Sequence, residues 1–231
     1  MTNETTIYIA DVTPLHEQRI FDALFSAASE ERRQRIGRLR FQTDRLLSLG
    51  VESLFLFALR EAGFPKDARS LAYGKNGKPY LPNTEGFFFN ASHDGTYAML
   101  AVSDAEIGCD IERIDPVRDR LAARVLTPPE YAAYEACVPD QRDELFFRYW
   151  VCKESCMKQS GEGLSADPAS YEIAFGSPIR VYRNGVLQPL ALFEGSEIPG
   201  YRYAVCRAGT LSDVQTKTVS LRALAEELCG H

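Results

Sequence analysis

The chain has no run of about 20 apolar residues, the length that spans a bilayer, so no membrane-crossing helix is expected. Its first residues, MTNETTIYIADVTP, carry neither a basic segment nor a long apolar run, so no secretory leader is expected either. Cysteine is present without a pattern. The six cysteines stand at 109, 137, 152, 156, 206 and 229, with no histidine or further cysteine at zinc-site spacing. They read as reduced thiols of a cytoplasmic protein, and Cys152 and Cys156 as small apolar packing residues. Only three histidines occur, and His93 alone lies away from the termini. No G-x-S-x-G surrounds Ser92, which argues against a hydrolase nucleophile there. Walker A and G-x-G-x-x-G loops are both missing, which argues against P-loop and Rossmann nucleotide sites. With a net charge of −6 and pI near 5.2, the chain lacks the basic balance of a general nucleic-acid binder. No low-complexity linker interrupts it.

At 231 residues and 45% hydrophobic content, the chain is long and apolar enough to bury a core without staples, as one large domain or two small ones. Thr6 to Val12 alternates like a strand, and Leu15 to Ala28 has helical spacing. Glu30 to Arg45 holds Arg32, Arg33, Arg35, Arg38, Arg40 and Arg45. Such a run is either a solvated helical face or an anion site, because a guanidinium fork bonds two phosphate oxygens at once. Thr43 to Ala62 is a strongly apolar helix, and Gly50 inside it implies close packing. Asn76-Gly77 and Lys78-Pro79 mark a turn between two short extended pieces. Phe87 to Asn90 and Tyr97 to Val102 read as strands of a hairpin, joined by a tight connection from Ser92 to Gly95.

Glu106 to Asp115, EIGCDIERID, reads as a strand. Ile107, Cys109 and Ile111 share one face; Gly108, Asp110 and Glu112 share the other. Two carboxylates side by side repel unless a cation sits between them. The pair is therefore either an exposed strand edge or a hard-cation site. Thr127-Pro128-Pro129-Glu130 fits a capped helix start, which explains Glu130 without chemistry. Leu145 to Leu164 reads as a long helix stopped near Gly161. Leu145, Tyr149, Cys152 and Cys156 form its buried face, and Phe147, Val151, Glu154 and Lys158 form a second row. Glu154 and Lys158, four residues apart, are neighbours; alone, such a pair is commonly a solvated face. Short strands at 170–175, 179–183 and 201–206 and a helix from Ser220 to Cys229 follow.

The two parts of the chain echo each other, each with strands and one dominant helix. The expected fold is α+β: two similar halves, each a small mainly antiparallel sheet packed on a long helix, with the active site in the cleft between them. Asp110, Glu112 and Glu154 together supply oxygen ligands for one Mg2+, and Lys158 stands one turn beyond Glu154. The residue types imply a polyphosphate substrate and a metal-assisted displacement at phosphorus.

G-C-D-I-E at 108–112, followed by W-V-C-K-E-S-C-M-K at 150–158, resembles the paired signature of the 4′-phosphopantetheinyl transferases. G-K-P at 77–79, N-A-S-H at 90–93 and G-x-G-L at 161–164 extend the match. The length resembles the larger, Sfp-type group, monomers with two similar halves. Cys109 stands where an aliphatic residue is usual, and the early cations are Arg where Lys is common. The resemblance implies transfer of the phosphopantetheine arm of coenzyme A to a serine of an acyl or peptidyl carrier protein, with Mg2+ as cofactor and 3′,5′-ADP as the other product. It implies Asp110, Glu112 and Glu154 as Mg2+ ligands, and Glu154 also as general base, directly or through water. Lys158 resembles the residue on the diphosphate. Lys78, Ser92 and His93 resemble coenzyme A contacts, and Arg32, Arg35 and Arg45 resemble partners of the 3′-phosphate. Residues 1–105 would then hold the phosphates and adenine, and residues 106–231 the metal site and catalytic helix. The alternatives are a non-catalytic coenzyme A-binding module and a metal-dependent hydrolase of coenzyme A. The segment through Val117, Leu121 and Val125 is the candidate carrier patch.

Overall fold

The computed structural model describes residues 4–65, 69–82, 84–162 and 166–229. Gly163 and Leu164 of the G-x-G-L stretch lie outside the described residues. The first half runs β1 (Glu4–Asp11), α1 (Gln18–Ala27), α2 (Glu30–Gly37), α3 (Gln42–Glu61), β2 (Ala72–Tyr73), β3 (Pro79–Tyr80), β4 (Phe88–Asp94) and β5 (Tyr97–Ser103). The second begins with β6 (Ile107–Arg113), α4 (Asp119–Val125), α5 (Pro128–Ala136) and α6 (Arg142–Ser160). It continues through β7 (Tyr171–Ala174), β8 (Arg180–Arg183), β9 (Val186–Leu187), β10 (Leu190–Gly195), β11 (Tyr201–Ala208), β12 (Asp213–Thr218) and α7 (Leu221–Cys229).

Two sheets dominate, in the orders β12-β1-β5-β4 and β10-β11-β6. Side chains alternate across each strand, and that alternation builds three apolar cores. Ile7, Ile9, Met99 and Ala101 of the first sheet meet Ile107, Cys109, Ile111, Tyr203 and Val205 of the second in a core between the sheets. Tyr8, Ala10, Ala98 and Leu100 point the other way and pack with α1, α3 and α7. Ala204 and Cys206 pack with the buried face of α6. The layers are helix, sheet, sheet, helix. This is the expected α+β fold, two halves each with a small mainly antiparallel sheet on a long helix. Gly50 brings α3 close to the first sheet, since a Cβ there would lie 2.5 Å from Val12 Cγ1 and 3.1 Å from Ala98 Cβ. Gly161 ends α6 at φ +72°, the left-handed cap its position implied.

Two features depart from the sequence reading. The hairpin connection is not Ser92 to Gly95: β4 runs on to Asp94, and Gly95-Thr96 alone make the turn, with Gly95 at φ +56°. Polar residues keep the strand going because Asn90, Ser92 and Asp94 share a face that finds partners on β6. The second feature is at the C terminus. The chain-order boundary at 105/106 places β12 and α7 with the second half, but both pack on the first. β12 pairs parallel to the outer edge of β1 and α7 lies on α1. An open strand edge and the apolar stripe of α1 supply the reason.

Candidate active site at the seam of the halves

Gly108 explains how helix and strand meet. A Cβ at this position would lie 2.1 Å from the Ser155 carbonyl oxygen and 2.3 Å from Gln159 N, so only glycine lets α6 lie directly on β6. Two residues on, Asp110 points to the same face, and α6 delivers Lys158 to it. Lys158 Nζ stands 2.6 Å from Asp110 Oδ1, the Ser92 hydroxyl donates to the same oxygen at 2.8 Å, and Lys158 also donates to Ser92 Oγ at 2.9 Å. Asp110 Oδ2 is buried without a hydrogen-bond partner. Glu112 Oε1 accepts from Trp150 Nε1 at 3.2 Å. Glu154 is buried and makes no hydrogen bond or ion pair among the described residues, although the charges of Asp110 and Lys158 both act on it.

Burial raises the pKa of Asp110 against the opposing pull of Lys158 and Ser92. Burial, the largest single influence, lowers that of Lys158, but the Asp110 carboxylate together with Cys109 and Glu154 outweighs it and the ammonium is held above its usual value. The two directions favour opposite protonation states for Asp110. The short contact, with a second donor on the same oxygen, supports the ion pair. Burial and the Asp110 charge push Glu112 up to about 7, and the same two causes raise Glu154. These acids fit a hard divalent cation in donor chemistry. All are oxygens, one is orphaned, and they repel one another until a positive charge is shared among them. They are not gathered in advance: no three metal-binding side chains among the described residues stand together as a ready cluster.

The predicted cations divide. Arg32 Nε pairs with the buried Glu52 at 2.8 Å, tying α2 to α3. Arg45 Nε donates to the Leu39 carbonyl at 2.7 Å and so holds the loop before α3. Lys78 Nζ uses its three protons within the protein, on Glu106 Oε2 at 2.8 Å, the Ile107 carbonyl at 2.9 Å and the Gln159 carbonyl at 3.1 Å. It sits beside a cavity of about 660 Å³ lined by Tyr80, Phe88, Gln159 and Gly161. Arg35 is exposed and engages no acidic partner among the described residues. His93 and Ser92 alternate, so they do not share a face; His93 is exposed and feels Asp44 at the start of α3. The surrounding protein and the Lys158 charge lower its pKa. In the carrier-patch segment Val125 is buried and Val117 half-buried, which leaves Leu121 as the exposed one.

Sequence reasoning missed two structural roles. Lys153 is fully buried, 2.6 Å from Glu130 Oε2, and donates to the carbonyls of Val125, Pro168 and Tyr171. Glu130 accepts from Thr127 N at 2.8 Å and Ile173 N at 2.7 Å, so its capping role is half of a hub joining α5, α6 and β7. The position of Lys153, four residues after Tyr149 of the buried face, was the available signal. The second is a side-chain ladder. Asn90 Oδ1 accepts from Cys109 N, Ser92 donates to Asp110, and Asp94 Oδ2 accepts from Arg113 N. These bonds fasten β4 to β6, although the two strands belong to different sheets.

Residues 106–206 match the family described as the 4′-phosphopantetheinyl transferase superfamily, and residues 13–105 match that described as 4′-phosphopantetheinyl transferase, N-terminal. A 4′-phosphopantetheinyl transferase of Bacillus subtilis is 34% identical over 154 residues, 66% of this chain and 68% of its own length. One from Bacillus pumilus is 30% identical over 71% of this chain and 72% of its own. One from Aneurinibacillus migulanus is 25% identical over 93% of this chain and 89% of its own.

Proposed function

From a chain that belongs to the 4′-phosphopantetheinyl transferase superfamily, with relatives of the Sfp type, we propose a Mg2+-dependent enzyme that moves the 4′-phosphopantetheine arm of coenzyme A onto a carrier-protein serine and releases 3′,5′-ADP. The observation that carries this reading is the triad of Lys158, Asp110 and Ser92 at the seam, with one Asp110 oxygen left over.

Asp110, Glu112 and Glu154 would hold the cation. When bound, it would neutralise charge on the diphosphate and favour departure of the leaving oxygen. The chain's own groups do the rest. Lys158, kept charged by Asp110, lies where a diphosphate oxygen would meet it. Ser92 offers a hydroxyl beside it. Glu154, which makes no hydrogen bond or ion pair among the described residues, is the group to take the carrier serine's proton, directly or through water, with alignment beside the bound cation supplying most of the gain. Arg35, His93 and, after local rearrangement of their present partners, Arg32, Arg45 and Lys78 would bind the 3′-phosphate and adenine side of coenzyme A. Residues 1–105 would thus serve the nucleotide, and residues from 106 onward the metal and the catalytic helix. The acceptors would be carrier domains of fatty acid, polyketide, nonribosomal peptide or siderophore assembly, met by a monomer in the cytoplasm, with Leu121 at the contact.

The test is mass spectrometry of an apo carrier protein incubated with coenzyme A, Mg2+ and this protein. A gain of one phosphopantetheine, lost when the carrier serine is changed to Ala, is expected. Coenzyme A binding without transfer to several carriers would instead favour a binding module. Asp110→Asn should lower turnover by on the order of 10²-fold or more while the fold persists, because a charge-stabilising contact in a buried site is lost. Near-normal turnover would remove Asp110 from the chemistry.

A further inference from the structure

Trp150 is the chain's single tryptophan, and it stands one turn before Glu154 on α6. Its indole stacks on the buried Phe146, with ring centroids 6.2 Å apart and planes 13° apart. Phe146 in turn meets Phe147 edge to face. The stack limits the rotation of the indole, and the ring's only polar atom is then directed at Glu112 Oε1, 3.2 Å away. A carboxylate on a strand can otherwise turn freely about its last torsion. With Oε1 held by the indole, Oε2 is the oxygen left to a cation shared with Asp110, whose charge acts on Glu112.

Resting on the metal-site reading above, we propose that Trp150 is a positioning residue for Glu112. Its N–H fixes which oxygen Glu112 presents to the cation, and so sets the affinity of the site for Mg2+. A residue that only packed would behave differently: its loss would lower stability and leave metal affinity alone. Groups that hold a metal ligand from behind commonly change metal affinity roughly 10- to 100-fold when removed.

Trp150→Phe keeps a ring against Phe146 and removes the N–H. Calorimetric titration of Mg2+ into the coenzyme A-saturated protein should show the dissociation constant rising about 10-fold or more. In transfer assays the Mg2+ requirement should rise in step, with kcat at saturating Mg2+ little changed, as expected when binding rather than transition-state contact is lost. Unchanged Mg2+ affinity in a folded Trp150→Phe protein would overturn the inference while leaving the metal site standing. If the unaltered protein takes up no Mg2+ at all, the metal-site reading fails and this inference with it. A second measurement needs no variant. The lone indole N–H gives one resolved 15N–1H signal, which should move with a saturable Mg2+ dependence matching the calorimetric midpoint. A signal that stays fixed through saturation would also overturn the inference.

Discussion

Asp110 owes its place to a neighbour with no side chain. Gly108→Ala would drive a methyl into the Ser155 carbonyl and the Gln159 backbone, neither of which can turn aside as a side chain would. Overpacking of this kind costs roughly 1–3 kcal/mol, and contact with backbone puts this case at the upper end. Urea denaturation should show a lower midpoint with an unchanged slope; an unshifted midpoint would mean that α6 slides away at little cost. The alternation of β6 was legible residue by residue, and the faces assigned to Ile107, Cys109, Ile111, Gly108, Asp110 and Glu112 are those observed. What Arg32 and Lys78 would touch was not legible. A cation's choice between a ligand and an internal partner depends on residues such as Glu52 and Glu106, which folding alone brings near.

Helices and strands differ in how far their own sequence describes them. α3 and α6 carry long apolar patterns and clear stops; α3 was readable within a residue, and α6 stops as read near Gly161 but begins three residues before Leu145. β12, with the polar sequence DVQTKT, has no such pattern; it is a strand because β1 offers an edge. The buried pair of Lys153 and Glu130 belongs to this scale, since it binds three elements to one another. Lys153→Met leaves Glu130 buried without its cation, and removing one partner of a buried pair costs about 3–5 kcal/mol. The melting temperature should fall steeply. The fraction that remains folded at low temperature should still transfer phosphopantetheine, and a selective loss of turnover in that fraction would give Lys153 a part in the chemistry.

For the molecule as a whole, the echo between the halves was legible and the return of the C terminus was not, because the first is a pattern in the chain and the second a pairing across it. Glu61 marks that return. Its carboxylate accepts from Lys217 of β12 and from the Tyr8 hydroxyl of β1, each at 2.8 Å. The Lys217 contact lowers its pKa, against a smaller effect of burial. A carboxylate whose pKa is depressed on folding stabilises the fold above its unfolded value, and that contribution is lost as pH falls through the folded value. Glu61→Gln should therefore lower stability at pH 7, by no more than about 1 kcal/mol for so exposed a pair. The difference from the parent protein should close as the solution is acidified below the ordinary carboxylate range. A gap that persists in acid would assign the effect to packing.

The pairing of β12 with β1 also orders events in time. A ribosome releases β1 about two hundred residues before β12, so the first sheet is synthesised with one edge bare and keeps it so until Thr218 has emerged. A nascent chain stalled before Asp213 presents an uncovered strand edge, the kind of surface to which another unfinished chain can add.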